Sequence, residues 1–334
     1  MIKKKFAPLI FVWVGSCLPK WAISSINFAS SNNIDRKIIL LLDKNSNILF
    51  KNKNHSFDLV FLPNQFMNEC KFKDQVNLSN PFWINTAKRL KVLYQYCKTY
   101  KIEKFFHAEV DNLIFPLAGL ENNLNDKGFG FFAPKDNNER ALASLIFCNK
   151  IDSIKDIFQY FYPPYLAASE MHALGLYSKN SKDFFALPTE SFLEVKNKWD
   201  ILSPKNSDGI FDAAAIGQYI LGVDPIHEPY KPLFNMFVNE NVLVEFKDLY
   251  FYSKNRNLFV FFSKISESYK IYNLHVHSKK INLAISMLNE KNKILKRLSL
   301  GKKTLIANKH KFVTGKLKYI LLAVKRKIIK KFKN

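Results

Sequence analysis

Hydrophobic positions along this chain gather into short runs rather than long amphipathic arcs. Leu9 to Val14 is continuously apolar and rich in β-branched and aromatic residues, which predicts a buried first strand ending in a Gly15-Ser16 turn. Lys37 to Leu42 is a second run, closed by Asp43, and Leu59 to Leu62 a third, ended by Pro63-Asn64. Residues 44–57 between them are polar and Asn/Lys-rich, hence loop. Short buried strands separated in this way predict an α/β sheet open to nucleotide binding at its strand ends.

The pattern then switches period. Asn80 is a good helix cap and Pro81 suits the first helical position, where a missing N–H costs nothing. Trp83, Ala87, Leu90, Tyr94 and Cys97 recur at helical spacing and predict the buried stripe, with Thr86 and Arg89 on a neighbouring face. From Lys104 to Asp111 the period is two. Phe106, Ala108 and Val110 point one way, and Phe105, His107, Glu109 and Asp111 the other.

Further along, a strand is predicted at Leu142–Phe147, and mainly helical structure at 151–177, broken by Pro163-Pro164. A small-residue helix over Phe211–Leu221 is capped by Asp212 and stopped by Gly222. Strands follow at Leu258–Phe262 and Tyr272–His277, the last with Tyr272, Leu274 and Val276 inward. The globular unit closes near residue 280.

Composition narrows the class. In 334 residues, 48% hydrophobic side chains with only 10 glycines and 13 prolines exclude fibrous or disordered structure. Four scattered cysteines (Cys17, Cys70, Cys97, Cys148) form no C-x-x-C pair, which fits a reducing compartment and offers no zinc site. The basic start and Val14-Gly15-Ser16-Cys17 resemble an export signal, but the apolar stretch is short and holds Pro8, so it reads better as a strand. No stretch reaches the roughly 18 consecutive apolar residues of a membrane span.

The net charge of +23 is concentrated at the C-terminus, where residues 302–334 carry twelve Lys or Arg and no acid. There Leu317, Leu321, Val324, Ile328 and Phe332 recur at helical steps among the lysines. Such a helix either lies on anionic lipid or docks its apolar side on the globular unit. A charge excess confined to a tail, with aromatics spread through strands, argues against a nucleic-acid-binding protein.

Glu109 and Asp111 are the sharpest chemical feature. Two residues apart on one strand, their carboxylates share a side, and they suit either a Mg²⁺ or Mn²⁺ ion on a diphosphate or a solvated strand end. His275 and His277 repeat that geometry, as ligands or as edge-strand histidines, and Ser278-Lys279 can meet a phosphate. No G-x-x-x-x-G-K-[ST] loop and no G-x-G-x-x-G is present, so any bound diphosphate must be neutralised by a cation and basic side chains.

Four blocks in order carry a family resemblance. They are Phe82-Trp83-(x)2-Thr86-(x)2-Arg89-(x)3-Leu93-Tyr94, His107-x-Glu109-x-Asp111-Asn112, Phe211-Asp212-x-Ala214-(x)2-Gly217-Gln218-Tyr219-(x)2-Gly222-x-Asp224-Pro225, and Asn273-Leu274-His275-x-His277-Ser278-Lys279. Together they resemble GT-A-type glycosyltransferases of bacterial and viral surface-glycan (capsule, lipopolysaccharide) biosynthesis. The resemblance covers most of residues 8–280. It implies a GT-A-like, Rossmann-type mixed sheet flanked by helices, with residues 1–118 binding the nucleotide sugar, 119–280 the acceptor, and 281–334 forming the basic tail.

The resemblance also implies roles. Asp111, Glu109 and His277 would hold a divalent cation, Mn²⁺ or Mg²⁺. Val14, Gly15, Ser16, Arg89, Glu109 and Lys279 would contact the nucleoside diphosphate sugar. Glu109 stands where many relatives carry Asp, which shifts its expected contact toward the ribose. An inverting enzyme would need a carboxylate base, for which Asp208 and Asp212 are the candidates, Asp212 equally as a cap. The expected acceptor is a glycan or lipid-linked hydroxyl, with the enzyme cytoplasmic and peripheral on the inner face of the cell membrane and no nucleic-acid partner. A basic nucleic-acid-binding protein and an inactive glycan-binding relative are the alternatives. Glu170-Met171-His172 and Trp199-Asp200 could line an acceptor pocket, but suit surface or packing positions better.

Overall fold

The computed structural model describes residues 6–15, 17–44, 46, 56–72, 76–78, 80–195, 200–224 and 246–289. Ser16, Trp199, Pro225 and the basic stretch 290–334 lie outside the described residues.

In chain order the first half comprises β1 (Leu9–Trp13), α1 (Lys20–Asn32), β2 (Ile38–Asp43), β3 (Asp58–Leu62), α2 (Asn64–Glu69), α3 (Pro81–Thr99), β4 (Phe105–Ala108), β5 (Asn112–Ile114), α4 (Leu120–Asn125), β6 (Phe131–Pro134) and β7 (Leu145–Cys148). The second half comprises α5 (Asp152–Ile157), α6 (Glu170–Asn180), β8 (Phe184–Leu187), α7 (Phe192–Val195), α8 (Pro204–Ser207), α9 (Ala215–Leu221), β9 (Leu249–Lys254), β10 (Asn257–Phe262), β11 (Glu267–Ile271), β12 (Asn273–His275) and α10 (Ile281–Asn289).

Seven strands form a mixed sheet in the order β3-β2-β1-β4-β7-β6-β8, flanked by helices as expected for this fold class. Strands β3, β2, β1 and β4 are parallel, and β7 runs antiparallel to both β4 and β6. Alternation along β1 splits the core. Ile10 and Val12 pack with Ala87, Leu90 and Cys97 of α3, whereas Leu9 and Phe11 pack with Ala22, Ile26 and Ala29 of α1. Helices leaving on opposite faces make β1 and β4 the point where strand order reverses, and a crevice opens there beyond the carboxyl ends.

Phenylalanine builds the far half of this sheet. Phe106, Phe147, Phe132 and Phe185 are successive register partners across β4, β7, β6 and β8. Their ring centroids lie 4.7, 5.6 and 4.5 Å apart along the row. Aromatic pairs of this kind add about 0.5–1.5 kcal/mol each beyond area burial.

The predicted cap of α3 is present, with the Asn80 side chain accepting from the Phe82 N–H at 2.9 Å. Other boundaries are trimmed. The strand expected at Leu142–Phe147 is Leu145–Cys148, that at Tyr272–His277 is Asn273–His275, and the helix expected from Phe211 begins at Ala215. A second sheet, β11-β10-β9, packs its inner side on α9 and α10 through Phe251, Leu258, Val260, Ile216 and Leu288. Its β9–β10 hairpin turns through Asn255 and Arg256, both at positive φ (50° and 60°), as the right-handed strand twist favours. Because Ile281, Ala284 and Leu288 of α10 are buried in this core, the packed body extends past residue 280. Among the described residues, no helix is long and apolar enough to cross a membrane.

Candidate functional site

The chain leaves β4 at Ala108, turns through residues 109–111 and enters β5, which pairs antiparallel with β12. Register sets Asn112 opposite His275, Leu113 opposite Leu274 and Ile114 opposite Asn273. Residues separated by 159 to 163 positions thereby become neighbours at the carboxyl end of β4.

Asparagines and one aspartate lock this junction. Asn273 Nδ2 donates to Asn112 Oδ1 (2.8 Å) and to the Asp212 carbonyl (2.9 Å), while its Oδ1 accepts from the Asp212 N–H (3.1 Å). The Asp212 carboxylate accepts four backbone N–H groups: Ala214 (2.8 Å) and Ile216 (3.0 Å) on one oxygen, Gly217 (2.9 Å) and His275 (2.8 Å) on the other. Three of these are donors at the start of α9 left without helical partners, and the fourth ties α9 to β12. The two approach so closely that a Cβ at Gly217 would lie 1.8 Å from the His275 carbonyl oxygen, so only glycine fits.

Above this junction Glu109, Asp111 and His275 present ligand atoms that all lie within 4.8 Å of one another. His275 Nε2 is 3.3 Å from Asp111 Oδ2 and 3.8 Å from Glu109 Oε2, and its buried Nδ1 has no hydrogen-bond partner. Lys279 Nζ donates to Asp111 Oδ2 and stands 3.9 Å from Asp224 Oδ2. Arg89 reaches in from α3, its Nη2 2.5 Å from Glu109 Oε1 and 3.4 Å from Glu170 Oε1. Glu170 also accepts from the Thr86 hydroxyl.

Electrostatics follow from this packing. Burial works against the charged form of Asp111, but the Lys279 ammonium and the His275 ring outweigh it and hold the carboxyl well below its usual range. Glu109 is lowered in the same way, with Arg89 as the main partner offsetting burial. For His275 burial is outweighed by Asp111 and Glu109, which raise its pKa. Glu170 moves the other way, because burial exceeds the help from Arg89 and Thr86.

These groups line a cavity of about 670 Å³. Trp13, Trp21 and Trp83 form its apolar walls with Phe82, so three of the four tryptophans in the chain are here. Aromatic walls with a few convergent polar groups are the usual make-up of a small-molecule site. Its carboxylates (Glu109, Asp111, Glu170, Asp224) outnumber its cations (Arg89, Lys279) four to two. That deficit, with two carboxylate oxygens and an imidazole converging, suits a hard or borderline divalent cation.

The structure redistributes several expected roles. The imidazole beside the acids is His275, not His277. One pleat further on, His277 lines the cavity, its Nδ1 accepts the Asp224 N–H at 3.0 Å, and burial lowers its pKa to about 4. Asp212 is fully buried, is not part of the cavity wall and has both oxygens occupied by backbone donors, so it is a structural anchor and not an available base. Asp208 is exposed at the end of α8 in a left-handed conformation, also away from the cavity wall. Val14 and Gly15 directly follow β1, yet Trp13 supplies that wall. Arg89, Glu109, Asp111 and Lys279 do converge on the cavity. Glu170 and Met171, expected at surface or packing positions, line it too, with Glu170 held there by the Thr86 hydroxyl and Arg89.

No protein-family model and no curated protein matches the chain. Among solved structures, similar folds include mouse xyloside xylosyltransferase 1 in its apo form, at 7% identity and a TM-score of 0.38, covering 57% of this chain and 92% of that one. An active-site mutant of LgtC matches at 12% identity and a TM-score of 0.38, covering 59% of this chain and 80% of the other. The galactosyltransferase LgtC with donor and acceptor sugar analogues matches at 13% identity and a TM-score of 0.36, covering 60% and 82%.

Proposed function

We propose that this protein is a glycosyltransferase that moves a sugar from a nucleoside diphosphate sugar to a hydroxyl of a glycan or lipid-linked acceptor in surface-polysaccharide synthesis. The observation that carries the reading is the meeting of Glu109, Asp111 and His275 beside Lys279, at the strand-order reversal of the sheet. A diphosphate needs cationic partners, and no glycine-rich phosphate loop is available in the sequence to provide backbone donors.

Glu109, Asp111 and His275 would hold Mn²⁺ or Mg²⁺, and the ion would supply charge neutralisation for the departing diphosphate. Lys279, reaching the same carboxylate from the cavity wall, is placed to move onto a phosphate oxygen as the substrate enters. Arg89 holds one oxygen of Glu109, which leaves Oε2 turned toward His275. The tryptophan walls orient donor and acceptor and keep water from the anomeric carbon as its bond to the diphosphate breaks, the acceptor oxygen bonds to it, and the acceptor hydroxyl proton passes to an oxygen of the departing diphosphate. The basic segment 302–334 would hold the enzyme on an anionic membrane, on the cytoplasmic side, near a lipid-linked acceptor.

A thermal-shift screen of nucleoside diphosphates and nucleotide sugars, with and without Mn²⁺, tests this. At least one nucleotide should raise the melting temperature only when Mn²⁺ is present, and the gain should vanish with chelator and in Asp111→Ala. Metal-independent protection, or none by any nucleotide, refutes the reading.

A further inference from the structure

Of the four carboxylates that face the cavity, Glu109 and Asp111 converge with His275, and Asp224 stands 3.9 Å from Lys279. Glu170 is the fourth. It opens α6, which packs on the same face of the sheet as α3 through Ala173, Leu174 and Tyr177. Its side chain is almost wholly buried, and Oε2 accepts the Thr86 hydroxyl. Among the described side chains Oε1 meets only Arg89, at 3.4 Å, through a nitrogen that sits closer to Glu109, at 2.5 Å. A carboxylate offers about four lone-pair sites, so Glu170 turns unused acceptor capacity toward the cavity. Because burial outweighs its two partners, the charged form is under-compensated and gains from any further donor that enters.

We propose that Glu170 determines donor specificity from a sugar subsite between α3 and α6, where it accepts hydrogen bonds from hydroxyls of an uncharged hexose on the nucleoside diphosphate. The inference rests on the sugar-transfer reading. Contacts run in order from Trp21 through Lys279, Asp111, His275, Glu109 and Arg89 to Glu170. Trp21, on α1, stands on one face of the sheet, and α3 with α6 on the other, so the three ligand groups lie midway. In open α/β sheets a nucleotide occupies the turn after the first strand, here the Trp13 and Trp21 end. A diphosphate held midway then directs its sugar to the opposite end. There Leu142 and Ala143 lead into β7, and Phe82, Trp83 and Met171 offer apolar contact for the C–H face of the ring. Charge selects an uncharged sugar. The cavity holds four carboxylates and two cations; a divalent ion evens that count and the diphosphate exhausts it, so a uronic acid beside Glu170 would lack a counter-charge. Ribose hydroxyls are the competing ligand for Glu170, and the experiment separates the two.

Calorimetry on the full chain with Mn²⁺ compares UDP and GDP with UDP-glucose, UDP-galactose and GDP-mannose. In wild type at least one conjugate should bind about tenfold tighter than its bare diphosphate. Glu170→Gln keeps the shape but loses the charge-assisted bonds, so it should erase most of that increment while moving the bare diphosphate by less than about threefold. If wild type binds neither diphosphates nor conjugates, sugar transfer falls and the subsite with it. If it binds them, three results overturn the subsite alone: no sugar increment in wild type, an increment that survives in Glu170→Gln, or an equal loss for the bare diphosphate, which would put the carboxylate on the ribose. Should Glu170→Gln fail to fold, wild type still decides. UDP-glucuronic acid and GDP-mannuronic acid should bind no tighter than their bare diphosphates, and a preferred uronic acid overturns the proposal.

Discussion

Replacing Asp212 by asparagine separates an anchor from a base. The carboxylate accepts four backbone N–H groups with no exposure to solvent. Asparagine keeps one oxygen, which can still accept two of them, and turns an NH₂ group toward the other two. Each buried N–H left unsatisfied costs about 1–3 kcal/mol, so the variant should lose about 2–6 kcal/mol. In urea, with a slope near 3 kcal/mol/M, the unfolding midpoint should fall by roughly 1 M. Equilibrium unfolding followed by far-UV circular dichroism measures this, and Mn²⁺ affinity should drop in parallel because the His275 N–H is one of the four. An Asp212→Asn protein that unfolds at the wild-type midpoint while failing to transfer sugar would refute the anchor and restore the catalytic base.

Other consequences are as direct. In Mn²⁺ titrations followed by electron paramagnetic resonance, His275→Ala should weaken binding by about tenfold or more and His277→Ala by less than about threefold; the reverse order would return the ligand role to His277. Glu190 is fully buried, one of its oxygens lacks a partner, and burial raises its pKa from 4.5 to about 8. The folded form therefore keeps a proton the unfolded chain gives up, so this contribution to stability is whole below the unfolded value of 4.5 and lost as pH rises through about 8. Glu190→Gln should melt with wild type at about pH 4 and above it at about pH 9, by a few kcal/mol; parallel pH profiles would exclude a protonated Glu190. Phe147, central in the row of rings, should cost about 3–5 kcal/mol when cut to alanine, and a chemical-denaturation loss under about 1 kcal/mol would show that the row is not a unit.

Local chemistry made the first four strands and α3 legible. Continuous apolar runs marked β1 and β2, and Asn80-Pro81 fixed the start of α3 within a residue. Helix α1 passed unseen because its face is built from Ser25, Ile26, Ala29 and Ser30, which give no strong stripe. Strands β6 and β8 are four residues each, too short for periodicity, and exist through pairing with distant partners. The two histidines show the limit most plainly. Spacing puts both on one side of a strand, but only the register of β12 against β5 decides which one meets Asp111. For Asp212, capping was readable from position and inaccessibility was not, since the latter depends on β12 closing over it.

Strand β12 also has a consequence for biosynthesis. The acids at 109 and 111 are made some 160 residues before their imidazole and ammonium partners. Until residue 279 clears the ribosome, Arg89 is in place for Glu109, but Asp111 has neither of its partners, His275 and Lys279. A chain terminated before Asn273 lacks not one ligand but the β-partner that shapes the turn holding the others. Nonsense truncations anywhere upstream of that strand are therefore expected to abolish cation binding outright rather than to grade it.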